Sequence, residues 1–531
     1  MQPDIFGPEL VLILGISVLA CYLASGRLRT PAPILLLCAG VLLGFAPALR
    51  AVQLPPEAVL FLFLPALLYW EALTTSLRMI RRNLRGIVLM STALVVLTGA
   101  AVAVVGHALG LPWGAAWVLG AAIAPTDATA VASMARALPH RDVTLLRAES
   151  LINDGTALVV YGVAVTITVG GGGLSGLEIS GLFLLAYTGG AAAGLLSAWL
   201  GVVLRRYVQD PVLGNVVTVL TPFTAFVLGE LVHASGVLAV VVCGLTMSQL
   251  ASRVMRAETR QRSEAFWSLS TFMLNGSLFV LVGLELQDTI RHLRNTEELT
   301  RGLVAVAVVA VVLVAVRLAF IFASTYLIRL VDRRASQRLR RVSDRSRVVN
   351  GLAGFRGAVS LAAVLATPAA VASGEPFPDR NLIIFVAAGV IVVTLVVQGP
   401  LLPVVARWAH LPEDRHIRDS ERRLADITTT SDALTSLQQV ARQLGTDQEV
   451  VDVLRREYEG RLHEVRGPGQ QDPAVRHRQQ YRDLHLALLA RKRASLLRLR
   501  DEHRIDDAVL REIQYELDLE EVRLNPPAAP E

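Results

Sequence analysis

Thirteen runs of mainly apolar residues follow one another through the first three quarters of this chain, at roughly 8 to 24, 32 to 49, 56 to 75, 86 to 109, 114 to 135, 143 to 169, 178 to 204, 211 to 232, 235 to 251, 265 to 284, 302 to 328, 348 to 373 and 381 to 408. Spanning the hydrocarbon core of a bilayer takes about 20 such residues per helix. Each run therefore reads as a membrane-spanning helix. Composition agrees, because 53% of the residues are hydrophobic and only 18% are charged, against about a quarter charged in soluble proteins. The runs stop near residue 409, which predicts two domains: a transmembrane domain over 1–409 and a helical domain over 410–531.

Arginine supplies an independent check, since cytoplasmic loops carry the excess of basic residues. With the N-terminus outside, the predicted cytoplasmic loops (24–32, 76–85, 136–147, 205–210, 252–264 and 329–347) hold 23 Arg, and the predicted external ones, 285–301 included, hold 5. This topology puts 410–531 in the cytoplasm. It also accounts for the net charge of +6, so the basic balance is not a nucleic-acid signal. Met1–Gly7 contains no basic residue and lacks the positive start of a cleavable signal peptide, so the first run is expected to remain as a helix. Cys21, Cys38 and Cys243 fall inside apolar segments without the paired spacing of a disulfide framework or zinc site.

If the seventh of thirteen helices is a linker, helices one to six and eight to thirteen enter the membrane from opposite sides, which is the arrangement of an inverted repeat. The fifth helix of each half carries a break: Pro125-Thr126-Asp127 in the first, and Gly351, Gly354 and Gly357 in the second. Interrupted helices in matching positions point to a binding site near the middle of the membrane.

Charge inside the spans sharpens this. A Lys, Arg or Asp at a helix centre costs about 2.5 to 3.5 kcal/mol on insertion scales, yet Asp127, Glu149, Asp154 and Arg356 all lie well inside predicted spans. Helical steps of about 100° place positions 149, 150, 153 and 154 within an arc of about 140°, so Glu149, Ser150, Asn153 and Asp154 share one face. A helix starting near Arg141 puts Asp154 roughly 20 Å deep. Two acids on that face and one arginine suggest that Arg356 neutralises one acid permanently and leaves the other free. A free acid can hold a proton or a hard cation, but not both, and that competition is itself an exchange mechanism. Ser150, Thr126 and the unwound backbone around Thr126 offer oxygens for a dehydrated Na+. Asp127 is read as a cap on the half-helix ends meeting there.

At these residues the chain resembles the Na+/H+ exchanger family of monovalent cation:proton antiporters, in its bacterial form. APTDATAV at 124–131, ESLINDGTAL at 149–158, GFRGAVSLA at 354–362, GELVHASGVLAVVVCGL at 229–245 and FVLVGLEL at 279–286 carry the resemblance, and the segment beginning RASLLRLRDEH resembles the tail of bacterial members. The resemblance implies a homodimer in a bacterial inner membrane, each protomer having a dimerisation domain and a mobile core in which the two broken helices cross. It implies Asp154 as carrier of ion and proton, Ser150 and Thr126 as Na+ ligands, Glu149 paired with Arg356 and helping to complete the ion-binding site, and Asn153 holding the site together. Members with the Asn-Asp pair exchange one cation for one proton, and here Asn153-Asp154 is accompanied by no lysine in the membrane domain, the only one being Lys492. Na+ is the expected cation, with K+ or Li+ as alternatives. One departure stands out: the family often reads PTDPV where this chain has Ala128-Thr129 after Asp127.

Arg317 and Glu230 are read as structural, paired with each other or facing water. His107 and His233 are read as interfacial side chains, and Glu71, behind Tyr69 and Trp70, as a helix end at the aromatic belt. No cofactor is expected. No repeated filter motif suggests a channel, and an intramembrane hydrolase using Ser150 has no histidine base within the core of the spans. In 410–531, Leu484 with Leu488 and Leu496 with Leu499 suggest helices that pair across a dimer as hairpins or a short coiled coil, with Gly467-Pro468-Gly469 as a linker.

Overall fold

Apolar runs become helices because, without water to bond them, backbone N–H and C=O groups must pair within the segment. The computed structural model describes residues 7–28, 30–46, 59–75, 77–82, 87–128, 130–131, 138–170, 175–208, 210–292, 296–331, 343–410, 415–466, 473–502 and 504–524. Its principal helices are α1 (Gly7–Leu28), α2 (Ala32–Leu43), α3 (Leu64–Thr74), α4 (Leu94–Ala108), α5 (Trp113–Ile123), α6 (His140–Gly170), α7 (Gly176–Tyr207), α8 (Pro211–Leu231), α9 (Gly236–Val254), α10 (Ala257–His292) and α11 (Thr296–Val331). They are followed by α12 (Asp344–Leu352), α13 (Ala358–Leu365), α14 (Arg380–Val393) and α15 (Gly399–Ala409). Among the described residues, eight helices are long and apolar enough to cross a membrane, and four apolar helices are shorter. The protein is an all-helical integral membrane protein.

Several helices overrun the apolar runs that predict them. α10 begins at Ala257 and α11 at Thr296, whereas the runs begin near 265 and 302. Helical hydrogen bonding continues past the apolar layer where polar residues support it, as in the i,i+4 pair of Glu258 and Arg262 at 2.7 Å. Ser175 and Glu178 form a capping box at the start of α7, and Asp210 caps α8 by accepting from the N–H groups of Val212 and Leu213.

Close approach between helices rests on small residues, as expected where lipid and side chain are equally apolar. α2 meets α10 at Gly40 and Gly283, and α4 meets α5 at Gly99 and Gly120; a Cβ at Gly40 or Gly120 would run into the facing backbone carbonyl. Leu12, Leu23, Leu184, Leu195, Trp199 and Leu220 face outward.

The chain divides into two compact units, Met1–Pro412 and Glu413–Glu531. The second consists of α16 (Arg415–Leu444), α17 (Gln448–Arg466), α18 (Pro473–Asp501) and α19 (Asp507–Leu524). α18 and α19 form a hairpin within one chain, closed by Leu489, Leu496, Leu510 and Leu517. Of the leucines singled out in the sequence, Leu496 is buried there while Leu484 and Leu488 are exposed. Gly467-Pro468-Gly469 and Thr129 lie outside the described residues.

Candidate functional site

Both predicted breaks are present. α5 stops at Ile123, Pro125 to Asp127 leave helical geometry, and helix resumes at Ala128. α12 stops at Leu352, and residues 353 to 357 run without regular structure before α13. The two breaks touch each other: the Asp127 N–H donates to the Phe355 carbonyl at 2.8 Å. Gly357 makes this approach possible, because a Cβ there would collide with the Asp127 carboxylate. Asp127 also caps the resumed helix by accepting from the Ala130 N–H at 3.1 Å.

Breaking a helix orphans carbonyls that need donors. Arg356 supplies them for the first half, donating from Nη1 to the carbonyls of Ala124 at 2.9 Å and Pro125 at 2.8 Å. This corrects the sequence reading, which paired Arg356 with Glu149. Glu149 instead faces Arg317 of α11, with Nη2 and Oε1 3.0 Å apart, and Arg317 Nε donates to the Asn350 carbonyl at 3.2 Å, near the end of α12. The suggested Arg317–Glu230 pair is not formed either: Glu230 accepts from the Gly236 N–H at 3.2 Å at the α8–α9 corner. One arginine ties an acid to the second broken helix, and the other ties together the two breaks.

α6 presents the remaining polar face. Ser150 Oγ donates to the Thr126 carbonyl at 2.7 Å, and Asn153 Nδ2 donates to Thr126 Oγ1 at 3.0 Å. Thr126, Glu149, Ser150, Asn153 and Asp154 are all buried. Each oxygen of this set accepts one hydrogen bond at most from the bonds just named and keeps a lone pair for a further partner. Asp154 differs from its neighbours, since among the described residues its carboxylate makes no hydrogen bond or ion pair. Among the described residues, the ionisable groups that influence it are two further acids, Glu71 and Asp127.

Glu71 is the residue that sequence reasoning misplaced. It lies on α3 with Oε1 enclosed and, among the described residues, without a hydrogen-bond partner, and it interacts through space with Asp127 and Arg147. The available signal was an acid four residues inside an apolar run, which is a functional candidate by default. Further along α6, Tyr161 Oη lies 3.2 Å from Thr367 Oγ1, and Arg380 Nε donates to the Thr367 carbonyl at 2.9 Å, fastening α6 to the segment after α13. His107 stacks on Trp113 with ring centroids 4.1 Å apart, and His233 is exposed at the α8–α9 turn.

A family described as sodium/hydrogen exchanger, transmembrane, matches residues 13–408. The chain belongs to that family. An uncharacterized Na+/H+ exchanger of Mycobacterium tuberculosis is 44% identical over 99% of this chain and 97% of its own length. An uncharacterized Na+/H+ exchanger of Escherichia coli is 28% identical over 98% and 99%. A sodium, potassium, lithium and rubidium/H+ antiporter of Bacillus subtilis is 29% identical over 71% of this exchanger and 58% of its own length. Among solved structures, a sodium proton antiporter from Methanocaldococcus jannaschii superposes with a TM-score of 0.58 at 17% identity, covering 75% of this chain and 98% of that one. That likeness extends the family assignment to the fold.

Proposed function

We propose that this exchanger carries Na+ in one direction and H+ in the other, one for one, by competition at Asp154. The observation that carries the reading is the uneven pairing of buried charge. Glu149 has Arg317 beside it, while the ionisable neighbours of Asp154 among the described residues are the acids Glu71 and Asp127. An unpaired carboxylate in a low-dielectric interior requires a proton or a cation, and the two cannot occupy it together.

In this mechanism Ser150 Oγ and the oxygens of Thr126 complete the cation's ligand set with Asp154, drawing on the lone pairs left by their existing hydrogen bonds. Asn153 orients Thr126, Asp127 holds the break in shape, and Arg356 satisfies the carbonyls the break exposes. Glu71 adds negative charge beside the site. Because charge leaves Asp154 only when another positive ion replaces it, the carrier changes its side of access loaded and neutral. The two halves, about 13 spans in an inverted repeat, supply the alternating access. The protein works as a homodimer in a bacterial inner membrane, N-terminus outside and residues 413–531 in the cytoplasm.

The experiment is cation-induced dissipation of a pH gradient in proteoliposomes with Na+, Li+ and K+ offered separately. Na+ giving the largest response, at a rate indifferent to an imposed membrane potential, is expected. A larger K+ response would make this a K+/H+ antiporter on the same residues, and a rate that follows the potential would contradict one-for-one exchange.

A further inference from the structure

The candidate site is fastened into one body. Ser150 and Asn153 of α6 are hydrogen-bonded to Thr126 in the first break, Asp127 to Phe355 in the second, Glu149 is paired with Arg317 of α11, and Tyr161 is bonded to Thr367. A second body lies on the other side of α6. Arg205 of α7 donates to Thr218 Oγ1 of α8 at 2.8 Å and to Met247 Sδ of α9 at 3.8 Å. The Ser235 N–H donates to the Ala186 carbonyl at 3.3 Å, and a Cβ at Gly194 of α7 would strike the Ala239 carbonyl of α9. α3 belongs with these helices, because Gly244 of α9 closes on its Ala72.

Asp154 must open to each side of the membrane in turn while its ligand set stays assembled. The contacts that assemble the set are internal to the first body, so the slip falls at the other face of α6. Across that boundary Glu71 of α3 acts on Asp127 and Asp154 through space, and Thr156 forms a hydrogen bond. Thr156 stands about 200° around α6 from Asp154 and is fully buried. Its Oγ1 lies 2.7 Å from the Tyr187 hydroxyl of α7. Thr156 gives its own proton to the Ile152 carbonyl at 3.0 Å, so Tyr187 is the donor of the pair. A slide of α6 by one helical turn, about 5.4 Å, breaks this bond.

Arg147 and Tyr161 each stand seven residues from Asp154, in helical phase with it. Arg147, toward the cytoplasmic end of the topology proposed above, is half-buried, whereas Tyr161, toward the other end, is buried against a fully enclosed Thr367. The cytoplasmic route to Asp154 is the less sealed of the two.

We infer that Tyr187 is a positioning residue for exchange: its hydrogen bond to Thr156 ties the helix bearing Asp154 to α7 and favours the inward-facing state. The inference rests on the exchange proposed at Asp154. Its test is the half-saturating Na+ concentration on each face, measured in everted and right-side-out membrane vesicles starting from equal pH inside and out. Tyr187→Phe keeps the ring beside Phe183, with centroids 4.9 Å apart, and loses only the hydroxyl. Loss of one hydrogen bond from one state should raise the ratio of cytoplasmic to external half-saturating concentrations about fivefold. Thr156→Val should raise it by a similar factor, and the double variant by no more than either alone. A ratio within about twofold of wild type, a ratio that falls, or additive effects would overturn the inference. A lower maximal rate with the ratio unmoved would mark a merely structural role and overturn it as well. Wild type lacking Na+-driven exchange would instead defeat the proposed function, and the inference with it.

Discussion

Removing Arg317 should damage this protein through Glu149, and the damage should be reversible at Glu149. The two groups lie 3.0 Å apart and are nearly inaccessible to solvent, at 3% and 9% side-chain exposure. Coulomb's law at that separation with an effective dielectric of about 20 gives about 5 kcal/mol. Breaking a buried pair by deleting one partner costs about 3 to 5 kcal/mol, because the other charge stays buried and uncompensated. Arg317→Met should therefore lower stability by about 3 kcal/mol or more, while Arg317→Met with Glu149→Gln should recover most of that loss. Unfolding in mixed micelles, followed by tryptophan fluorescence, measures both. If Glu149→Gln rescued Arg356→Met and not Arg317→Met, the pairing described here would be refuted and the one suggested by sequence restored.

Gly357→Ala should abolish transport with little loss of folded protein, since its Cβ strikes the Asp127 carboxylate at the crossing; exchange assays on material of normal size-exclusion behaviour check this. Ser150→Ala removes a ligand oxygen and the hydrogen bond to the Thr126 carbonyl, a loss of about 1 to 2 kcal/mol. The half-saturating Na+ concentration should rise about fivefold to thirtyfold, and an unchanged value would remove Ser150 from the ligand set. Tyr161→Phe should loosen α6 from Thr367 and lower stability by about 1 kcal/mol, as read from the same unfolding transition, without changing cation preference.

Much of the site is legible in the sequence. Pro125 and the glycine triplet located the breaks because both residue types interrupt a helix for local reasons, and helical phase alone put Glu149, Ser150, Asn153 and Asp154 on one face. What could not be read was which helix stands opposite. Arg317 and Arg356 are equally buried and equally basic, and the choice between them as partner of Glu149 depends on the packing of α11 against α12, a contact that no local pattern encodes. Arg356 looked free to pair with an acid because the carbonyls of Ala124 and Pro125, its actual acceptors, have no signature in a sequence. Glu71 was lost for a related reason: position along a helix was taken as depth, although the facing helix decides whether an acid meets water or a second carboxylate.

The most direct test of the account is Na+-induced dissipation of a pH gradient in proteoliposomes, wild type against Asp154→Asn. The amide has nearly the carboxylate's shape but can neither release a proton nor neutralise a cation. Exchange by the variant should fall to the level of protein-free vesicles, while its unfolding transition remains within about 1 kcal/mol of wild type or shifts upward, because a buried unpaired acid has been removed. Asp154→Asn retaining Na+/H+ exchange at the wild-type rate would contradict the claim that proton and cation compete at this carboxylate.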